Sequence, residues 1–320
     1  MRSVQTDVRF PLSSIKPLEQ LARYRQFCLA RTEHAFKEGS RFRNLSPVSG
    51  KILQLAGQVD RFPYGRCSES GSLFLMRLPG ASAWARLLSE VSQHRHSPEA
   101  FHLGLAQSRT DHVYAPKLEW IQEALSLQGI TRPQVWEVVT PPSPLTLLLR
   151  ECGIFSAVKT IDEMEFTHGP HREGTVPVAL LLESLDRIDD PEELLRRIYC
   201  GLEPGGLLFL TSLVASGFDL EVLGLQNLYL YPPDRANCFS LQGLQALLER
   251  TGFTLLEVST PGVLDVEIVQ AHRKEDPLLA LSSFEQRIVQ GDEETRRAFQ
   301  DFLQERGLSS FARLVARRSE

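Results

Sequence analysis

The pattern of apolar and polar residues is most informative in residues 176–213. A continuous apolar run at residues 178–182 is typical of a parallel strand that is covered on both faces. Asp189, Asp190 and Pro191 then favour a helix start, because Asp caps helix N-termini and Pro fits the first helical turn. A Gly-Gly turn and a second apolar run at residues 207–213 follow. Together these features predict two parallel strands joined by a covering helix, which is half of an open α/β sheet.

The same patterning predicts the other elements of an α/β chain. Ser240 as N-cap and Gly252 just past the end mark one further helix clearly. We predict strands at residues 135–139, Ala157–Ile161, Phe253–Ser259 and 311–315, and helices at residues 18–38, 145–153 and Leu241–Arg250, over most of 81–129, and twice within 275–306.

Residues 180–212 resemble the second half of a class I S-adenosylmethionine (SAM) methyltransferase domain. The resemblance depends on the carboxylates after the strand, the Pro-led helix and the Leu-x-Pro-Gly-Gly turn at residues 202–206. It continues through Tyr-Pro-Pro-Asp at residues 231–234 and Phe-Ser at residues 239–240. This order is similar to bacterial methyltransferases that carry an N-terminal zinc ribbon and often act on sugars. A βαβ unit with a glycine turn from another fold is the alternative interpretation.

The resemblance implies an α/β fold: a Rossmann-like class I methyltransferase sheet of seven strands whose last strand is antiparallel. A small N-terminal ribbon-like module and helical additions would accompany this sheet. We therefore expect four parts: an N-terminal helical arm (1–44), a degenerate zinc-ribbon-like module (45–80), a helical connector (81–130) and a methyltransferase-like Rossmann domain with C-terminal helices and a final strand (131–320).

Two serine-containing turns precede a short apolar run at residues 73–76. They are Ser46-Pro47-Val48-Ser49-Gly50 and Cys67-Ser68-Glu69-Ser70-Gly71. In the resembling family these turns hold the four cysteines of a zinc ribbon, whose paired spacing closes a tetrahedral site. A serine hydroxyl does not ionise near neutral pH, so we predict no structural zinc and expect apolar packing to replace it. A chance match in a Ser/Gly-rich turn region is the alternative.

The turn after the first strand of the predicted sheet departs from the resembling family. That family places an acidic residue in the first strand, a glycine-rich turn against SAM, and a second acidic residue at the ribose. Glu137 and Asp162 match the acidic positions, but the three glycine positions hold Val139, Pro141 and Ser143. Glycine tolerates positive φ, whereas Val disfavours it and Pro fixes φ at about −65°.

The free-energy cost of these substitutions is large compared with the binding free energy of a cofactor. Three faults of about 1–3 kcal/mol each would remove much of the about 8 kcal/mol that holds a micromolar ligand. We therefore expect no cofactor. If SAM does bind, its predicted contacts are Glu137, Thr140, Ser143, Asp162 and Glu183. The alternative is that the turn takes another path and that a different ligand fills the cleft.

The resembling family often has histidines at three positions that hold Arg187, Arg235 and Phe311 here. In that family the histidine at the position of Arg235 faces the substrate and can serve as general base. Arginine stays protonated in proteins, so Arg235 cannot act as a general base, although it can bind a phosphate or carboxylate. An exposed loop arginine is the alternative interpretation. We assign no catalytic residue. If the protein is an active enzyme, the candidates are Glu183, Asp186, Tyr231, Asp234 and Arg235.

Composition excludes several other classes of function. The 320 residues carry a net charge of −5 with a pI near 6.0, so no basic surface for nucleic acid is indicated. No apolar run approaches the about 18 residues that a membrane span needs, and the N-terminus lacks the apolar region of a signal peptide. Five scattered cysteines are typical of reduced thiols. We expect a cytoplasmic bacterial protein without a metal site.

Three functional hypotheses follow. The first is a catalytically inactive methyltransferase-like protein, a pseudoenzyme that works as a binding or scaffolding subunit. Its partner would be an active methyltransferase relative or another biosynthetic enzyme. The second is an active SAM-dependent methyltransferase on a sugar or another small-molecule or polysaccharide precursor. The third is a remodelled cleft that serves another ligand or reaction.

Overall fold

Twelve strands and twelve α-helices form the part of the chain that the computed structural model describes, residues 10–97, 104–170 and 174–319. The strands are β1 (Ser40–Phe42), β2 (Gln54–Val59), β3 (Phe62–Arg66), β4 (Leu73–Leu75), β5 (Arg77–Pro79), β6 (Gln134–Val138), β7 (Ala157–Ile161), β8 (Val176–Leu182), β9 (Leu202–Leu213), β10 (Asn237–Cys238), β11 (Phe253–Ser259) and β12 (Phe311–Arg318). The helices are α1 (Leu18–Ala35), α2 (Ala81–Arg95), α3 (Ala106–Arg109), α4 (Ala115–Leu127), α5 (Pro144–Glu151), α6 (Glu163–His168), α7 (Pro191–Gly201), α8 (Phe218–Leu223), α9 (Leu241–Arg250), α10 (Asp265–Glu275), α11 (Ser283–Val289) and α12 (Glu293–Glu305).

The central sheet has the strand order β11-β12-β9-β8-β6-β7. Strands β7, β6, β8 and β9 run parallel, and β12 is antiparallel to both of its neighbours. This mixed α/β arrangement confirms the predicted Rossmann-like methyltransferase fold with an antiparallel last strand. The predicted count of seven strands is wrong for the described residues, where the sheet has six. Helix α6 occupies much of the short connection between β7 and β8, which leaves too little chain for a further strand and its crossover.

The organising strand–helix–strand unit has the predicted form. Asp190 caps α7 by accepting a hydrogen bond from the Glu193 N–H at 3.1 Å, and Pro191 begins the helix. Leu194, Leu195 and Ile198 form the apolar stripe of α7 and are fully buried. Both strands extend further toward their N-termini than predicted, since β8 begins at Val176 and β9 at Leu202.

The two faces of the sheet are buried in separate apolar layers. Val135, Leu180 and Phe209 face one cluster, which includes residues of α4 and α5. Trp136 and Leu181 face the other, which includes residues of α6, α7 and α9. Alternating side chains on fully covered strands explain why these strands are apolar almost throughout.

Residues 45–80 fold against the remainder of the chain. Strands β2, β3 and β4 form an antiparallel sheet that β10 completes, with Asn237 opposite Phe74 and Cys238 opposite Leu73. A strand from the C-terminal half therefore lies in the sheet of the N-terminal module. Within the described ranges, no helix combines the length and the apolar character needed to cross a membrane.

Candidate functional site

The carboxyl ends of β6 and β8 open on a small cavity, which we call the cofactor-side cavity. In open parallel sheets, ligands bind at these strand ends. The cavity has a volume of about 80 Å³ and lies between the turn after β6, α2 and α4. Four of the five predicted cofactor contacts line it, namely Glu137, Thr140, Ser143 and Glu183. Asp162, the fifth, is not among the lining residues.

Three hydroxyl groups of the protein donate hydrogen bonds to the Glu137 carboxylate. Ser143 Oγ donates to Oε1 at 3.0 Å, and the Oγ1 atoms of Thr146 and Thr160 donate to Oε2 at 2.5 and 3.2 Å. Glu137 is 3% exposed, and this burial raises its pKa despite the three hydrogen bonds. The carboxylate is thus used to hold the turn and α5 onto β6.

The turn that replaces the glycine-rich loop avoids the left-handed backbone region. None of residues 139–144 has a positive φ, and Ser143 has an extended φ of −126°. The turn is fixed by side chains, since Thr140 Oγ1 donates to Glu163 Oε1 at 2.7 Å. Ser92 Oγ on α2 donates to the carbonyl oxygens of Thr140 and Pro142 at 3.2 and 3.1 Å. These contacts fix the turn in a conformation that needs no left-handed residue.

Asp162 acts as a helix cap in this structure. Its side chain accepts hydrogen bonds from the backbone N–H groups of Met164 and Glu165 at 2.9 and 3.0 Å, at the start of α6. N-capping is a sufficient structural reason for an Asp at this position.

An ion pair closes the inner end of the cofactor-side cavity. Lys117 Nζ on α4 lies 2.6 Å from Glu183 Oε1, and the Lys117 side chain is 6% exposed. Glu183 directly follows β8 and has a φ of 63°, a strained value for a residue with a side chain. Burial by itself would raise the pKa of Glu183, but Lys117 and Arg235 outweigh it and hold this pKa well below the ordinary value.

A second cavity, which we call the cationic cavity, lies on the other side of this ion pair. Its volume is about 160 Å³, and Arg109, Lys117 and Glu183 belong to the walls of both cavities. The remaining charged or polar lining residues include Lys16, His112, Tyr229, Arg235, Asp265 and Arg313. The Lys117–Glu183 pair therefore forms part of the wall that the two cavities share.

Two of the catalytic candidates are brought together by Arg235. Its Nη2 atom lies 3.6 Å from Glu183 Oε2, and its Nε atom lies 3.5 Å from Asp186 Oδ2. Asp186 also accepts hydrogen bonds from the Ser212 hydroxyl and the Leu213 N–H, and its burial raises its pKa to about 6. Arg235 is buried and paired, which is not the exposed loop arginine of the alternative interpretation.

The other two candidates, Tyr231 and Asp234, form a separate buried group with Arg95. Arg95 Nη2 donates to Asp234 Oδ1, and Tyr231 OH lies 3.5 Å from Asp234 Oδ2. Burial alone would raise the pKa of Asp234, but Arg95 and two further arginines lower it. Asp186, Tyr231 and Asp234 line neither cavity. These three side chains are therefore placed to support the cavity walls.

The cofactor-side cavity does not fit SAM. Its about 80 Å³ is roughly half of the about 150 Å³ that holds one benzene ring, whereas adenine alone has two fused rings. SAM carries a net positive charge, and the cavity is lined by four cations, Arg95, Arg109, Lys117 and Arg187, but by only two carboxylates, Glu137 and Glu183. Like charges in a buried site repel strongly. Both the small volume of the cavity and the charge of its wall disfavour the binding of SAM.

The two serine-containing turns converge on a single thiol. The Gly50 N–H donates to the Ser46 carbonyl and the Gly71 N–H to the Cys67 carbonyl, at 2.9 and 2.8 Å, so both turns have one geometry. Hydrogen bonds from Ser46, Ser49 and Ser70 outweigh burial and lower the Cys67 pKa to about 7. Among the described residues, no group of three or more His, Cys, Asp or Glu side chains could hold a metal ion.

Sequence reasoning missed the cations that shape both cavities, above all Lys16, Arg109 and Lys117. For Lys117 a signal existed, because it lies one turn before Trp120 and Ile121 in the buried stripe of α4. A lysine in such a stripe indicates a buried charge that needs a partner. No local pattern marks Lys16 or Arg109, since only the tertiary structure brings their segments together.

Comparisons with known proteins agree with this fold. A family profile described as a methyltransferase domain matches residues 81–258, more than half of the chain. A search of curated proteins found no match.

Several solved structures are similar to the chain. One is a Burkholderia thailandensis 1,6-didemethyltoxoflavin-N1-methyltransferase with bound 1,6-didemethyltoxoflavin and S-adenosylhomocysteine (12% identity, 82% of this chain and 97% of that chain, TM-score 0.45). Another is a Haemonchus contortus phosphoethanolamine N-methyltransferase 2 (13% identity, 77% and 63%, TM-score 0.39). A third is a SAM-dependent methyltransferase from Thermotoga maritima (14% identity, 62% and 88%, TM-score 0.36).

Proposed function

We propose, from the premise that this chain belongs to the methyltransferase domain family, that it is a catalytically inactive member that works as a binding or scaffolding subunit. The observation that carries this proposal is the cofactor-side cavity, with its about 80 Å³ of space and its cationic wall. The apolar core of the fold is present, while the side chains that would contact a cofactor form hydrogen bonds and ion pairs with one another.

The ion pair between the cavities supports the same proposal. Transfer of a methyl group needs the donor and acceptor atoms within about 3–3.5 Å, on an open line. Lys117 and Glu183 lie in contact where the two cavities meet. A ligand in the cationic cavity is thereby separated from anything in the cofactor-side cavity.

Calorimetric titration of the full chain with SAM and with S-adenosylhomocysteine tests the proposal. We expect no saturable binding at micromolar concentrations of either compound. Saturable micromolar binding of either compound would overturn it. A methyltransferase of known affinity, titrated with the same cofactor stock, serves as the positive control.

The alternative is an active SAM-dependent methyltransferase on a sugar or another small molecule. One observation favours it: the cationic cavity adjoins the cofactor-side cavity and is large enough for a small acceptor. This alternative requires the turn after β6 and Lys117 to move when the cofactor enters. Micromolar SAM binding that is lost when Glu137 is replaced by Gln would establish it.

The proposed partner is an active methyltransferase relative or another biosynthetic enzyme. Apolar side chains on residues 42–55 support an interaction surface there, since Phe42, Leu45, Ile52 and Leu55 are each more than half exposed. Co-expression with a methyltransferase relative encoded nearby, followed by size-exclusion chromatography, is the test. We expect co-elution that Ile52→Asp abolishes, and two independent peaks would contradict this proposal.

A further inference from the structure

We propose that the cationic cavity is a binding site for a small organic anion, a carboxylate or phosphate on a body of about one ring. This inference deepens the proposed binding role and rests on it. The cavity is independent of the cofactor loop and lies at the carboxyl end of β9 and beside α10, with Leu213 and Leu264 in its wall.

The charges around the cavity do not cancel. Glu183 is neutralised by Lys117 and Arg235. Asp265 accepts three hydrogen bonds, from Ser309 Oγ at 2.6 Å, from the Ser310 N–H at 2.6 Å and from Gln300 Nε2 at 2.8 Å. Both carboxylates of the wall are therefore committed to protein partners.

Two cations of the wall lack such a partner. Within residues 10–97, 104–170 and 174–319, neither Lys16 nor Arg109 forms an ion pair with a carboxylate. Lys16 Nζ lies 4.1 Å from the centre of the Tyr229 ring. Arg109 is 9% exposed and its guanidinium lies 5.6 Å from the centre of the Tyr114 ring; among the described residues, its side chain donates a hydrogen bond only to the Ile15 carbonyl, at 3.3 Å. A buried charge is costly unless it is paired, so an anion between these two groups would relieve both.

Several residues of the same wall carry unsatisfied polar atoms. Buried polar groups are almost always hydrogen-bonded, and exceptions require an explanation. Four lining residues carry a buried side-chain atom without a hydrogen-bond partner in the described chain: Arg109 Nε, His112 Nδ1, Tyr229 OH and Arg313 Nε. A ligand with several acceptor oxygens would satisfy such a set of donors.

The remaining wall is apolar and limits the size of the ligand. Ile15, Val113, Leu213, Val263 and Phe311 contribute to it. The cavity of about 160 Å³ is close to the about 150 Å³ that holds one benzene ring. The site therefore favours a compact anion with an apolar body over a long or highly polar one.

Titration calorimetry of the full chain, without SAM, tests the inference with three probes. Benzoate and phenyl phosphate carry the anion on a ring, and benzamide is the neutral control. We expect at least one anion to bind saturably and at least ten-fold more tightly than benzamide, because charge-assisted hydrogen bonds are the strong ones. The tighter of the two anions distinguishes a carboxylate from a phosphate ligand.

Matched variants locate the site. Lys16→Gln and Arg109→Gln should each weaken anion binding about ten-fold or more. Lys159→Gln, at an exposed position of β7, should leave it unchanged. Circular dichroism of each variant confirms that it is folded. Equal affinity for benzoate, phenyl phosphate and benzamide, no saturable binding at millimolar concentrations, or unchanged affinity in both cavity variants would overturn the inference. The SAM titration is a separate measurement, so failure of this site and failure of the proposed function are distinguishable.

Discussion

At the scale of single residues, Glu183 determines what the two cavities can do. Its backbone is held at a φ of 63°, a conformation that costs about 1–3 kcal/mol and persists only when neighbours enforce it. Its N–H donates to the Thr211 carbonyl at 2.9 Å, and its side chain is held by Lys117 and Arg235. The carboxylate is thereby fixed in the wall that the two cavities share.

Replacement of Lys117 by Met tests the strength of this pair. The variant leaves a partly buried carboxylate with one cation, Arg235, at 3.6 Å, so we expect the free energy of unfolding at pH 7 to fall by about 1–3 kcal/mol. Lys117 and Arg235 lower the folded-state pKa of Glu183, so the pair stabilises the protein above the unfolded pKa of about 4.3. That contribution is lost as pH falls through the folded pKa, and the variant should lose less stability on acidification.

Urea denaturation of both proteins between pH 3 and pH 7 measures this difference. Lys51→Met is the control, because Lys51 and Glu69 are 3.9 Å apart and mostly exposed. Surface pairs of this kind contribute about 0–1 kcal/mol. An equal effect of the two substitutions would contradict the role given to Lys117.

At the scale of elements, the two serine-containing turns bring four side chains, Ser46, Ser49, Cys67 and Ser70, together as a metal site would. Ser49 Oγ lies 3.4 Å from Cys67 Sγ, and Ser46 and Ser70 also hydrogen-bond to this thiol. Zn–S bonds of about 2.3 Å place sulfur atoms about 3.8 Å apart around a tetrahedral ion. The four side chains are therefore close to the positions that zinc ligands would need.

The triple variant Ser46→Cys/Ser49→Cys/Ser70→Cys should therefore bind one zinc ion per chain. We expect elemental analysis to find one equivalent after dialysis without chelator, and zinc to raise the Tm, because structural zinc stabilises small modules strongly. The same variant with Cys67→Ala, which has only three thiols, should retain less zinc. Absence of zinc from the triple variant would show that the turns do not share a ribbon geometry.

A third prediction concerns the contact between this module and α9. A Cβ at Gly243 would lie 2.4 Å from Ser72 Oγ and 3.0 Å from Ser240 Oγ. Gly243→Ala should therefore destabilise the protein by about 1–3 kcal/mol, although Ala is the better helix former by about 1 kcal/mol. Urea denaturation would measure the change, with Gln242→Ala as an exposed control in the same helix. Ser72→Ala in the double variant should recover part of the loss, and stabilisation by Gly243→Ala would disprove the close packing.

The elements that the sequence predicted correctly are those specified locally. The limits of α9 follow from the Ser240 cap, whose hydroxyl accepts from the Gly243 N–H at 2.9 Å, and β7 and β11 have the predicted limits. The strand β10 has two residues, and only its pairing with the distant β4 defines it. The buried cations were missed for the same reason, because their partners lie far away in the sequence.

At the scale of the whole molecule, the N-terminal module and the sheet domain share structure. Arg43 donates to the Asn237 side chain at 2.6 Å and to the Asp189 carbonyl at 2.8 Å, and the Trp84 indole donates to the Arg187 carbonyl at 2.9 Å. These bonds link residues 43–84 to the loops that follow β8. The loop that carries Glu183 and Arg187 is therefore fixed from both sides, which favours a rigid binding body over a cleft that opens for a cofactor.

The same enclosure gives anion binding a defined pH dependence. Burial lowers the pKa of Lys16 to about 8, with Glu183 opposing this shift and Arg235 and Arg109 adding to it. Lys16 is therefore charged below pH 8 and neutral above it, so benzoate affinity should be constant near pH 7 and fall by up to ten-fold per pH unit above about 8.

Calorimetric titrations from pH 6 to pH 10 measure this profile. Burial lowers the pKa of Arg313 in the wall to about 10, so the points between pH 6 and pH 9 report on Lys16. Asp219, which also acts on Lys16, has its pKa raised to about 7 by burial and by Asp265. Asp219→Asn should keep the fall near pH 8, whereas Lys16→Gln should bind weakly at every pH without that fall. A profile that is equally steep in Lys16→Gln would assign the titration to another group, and a flat profile in the unmodified chain would remove Lys16 from the site.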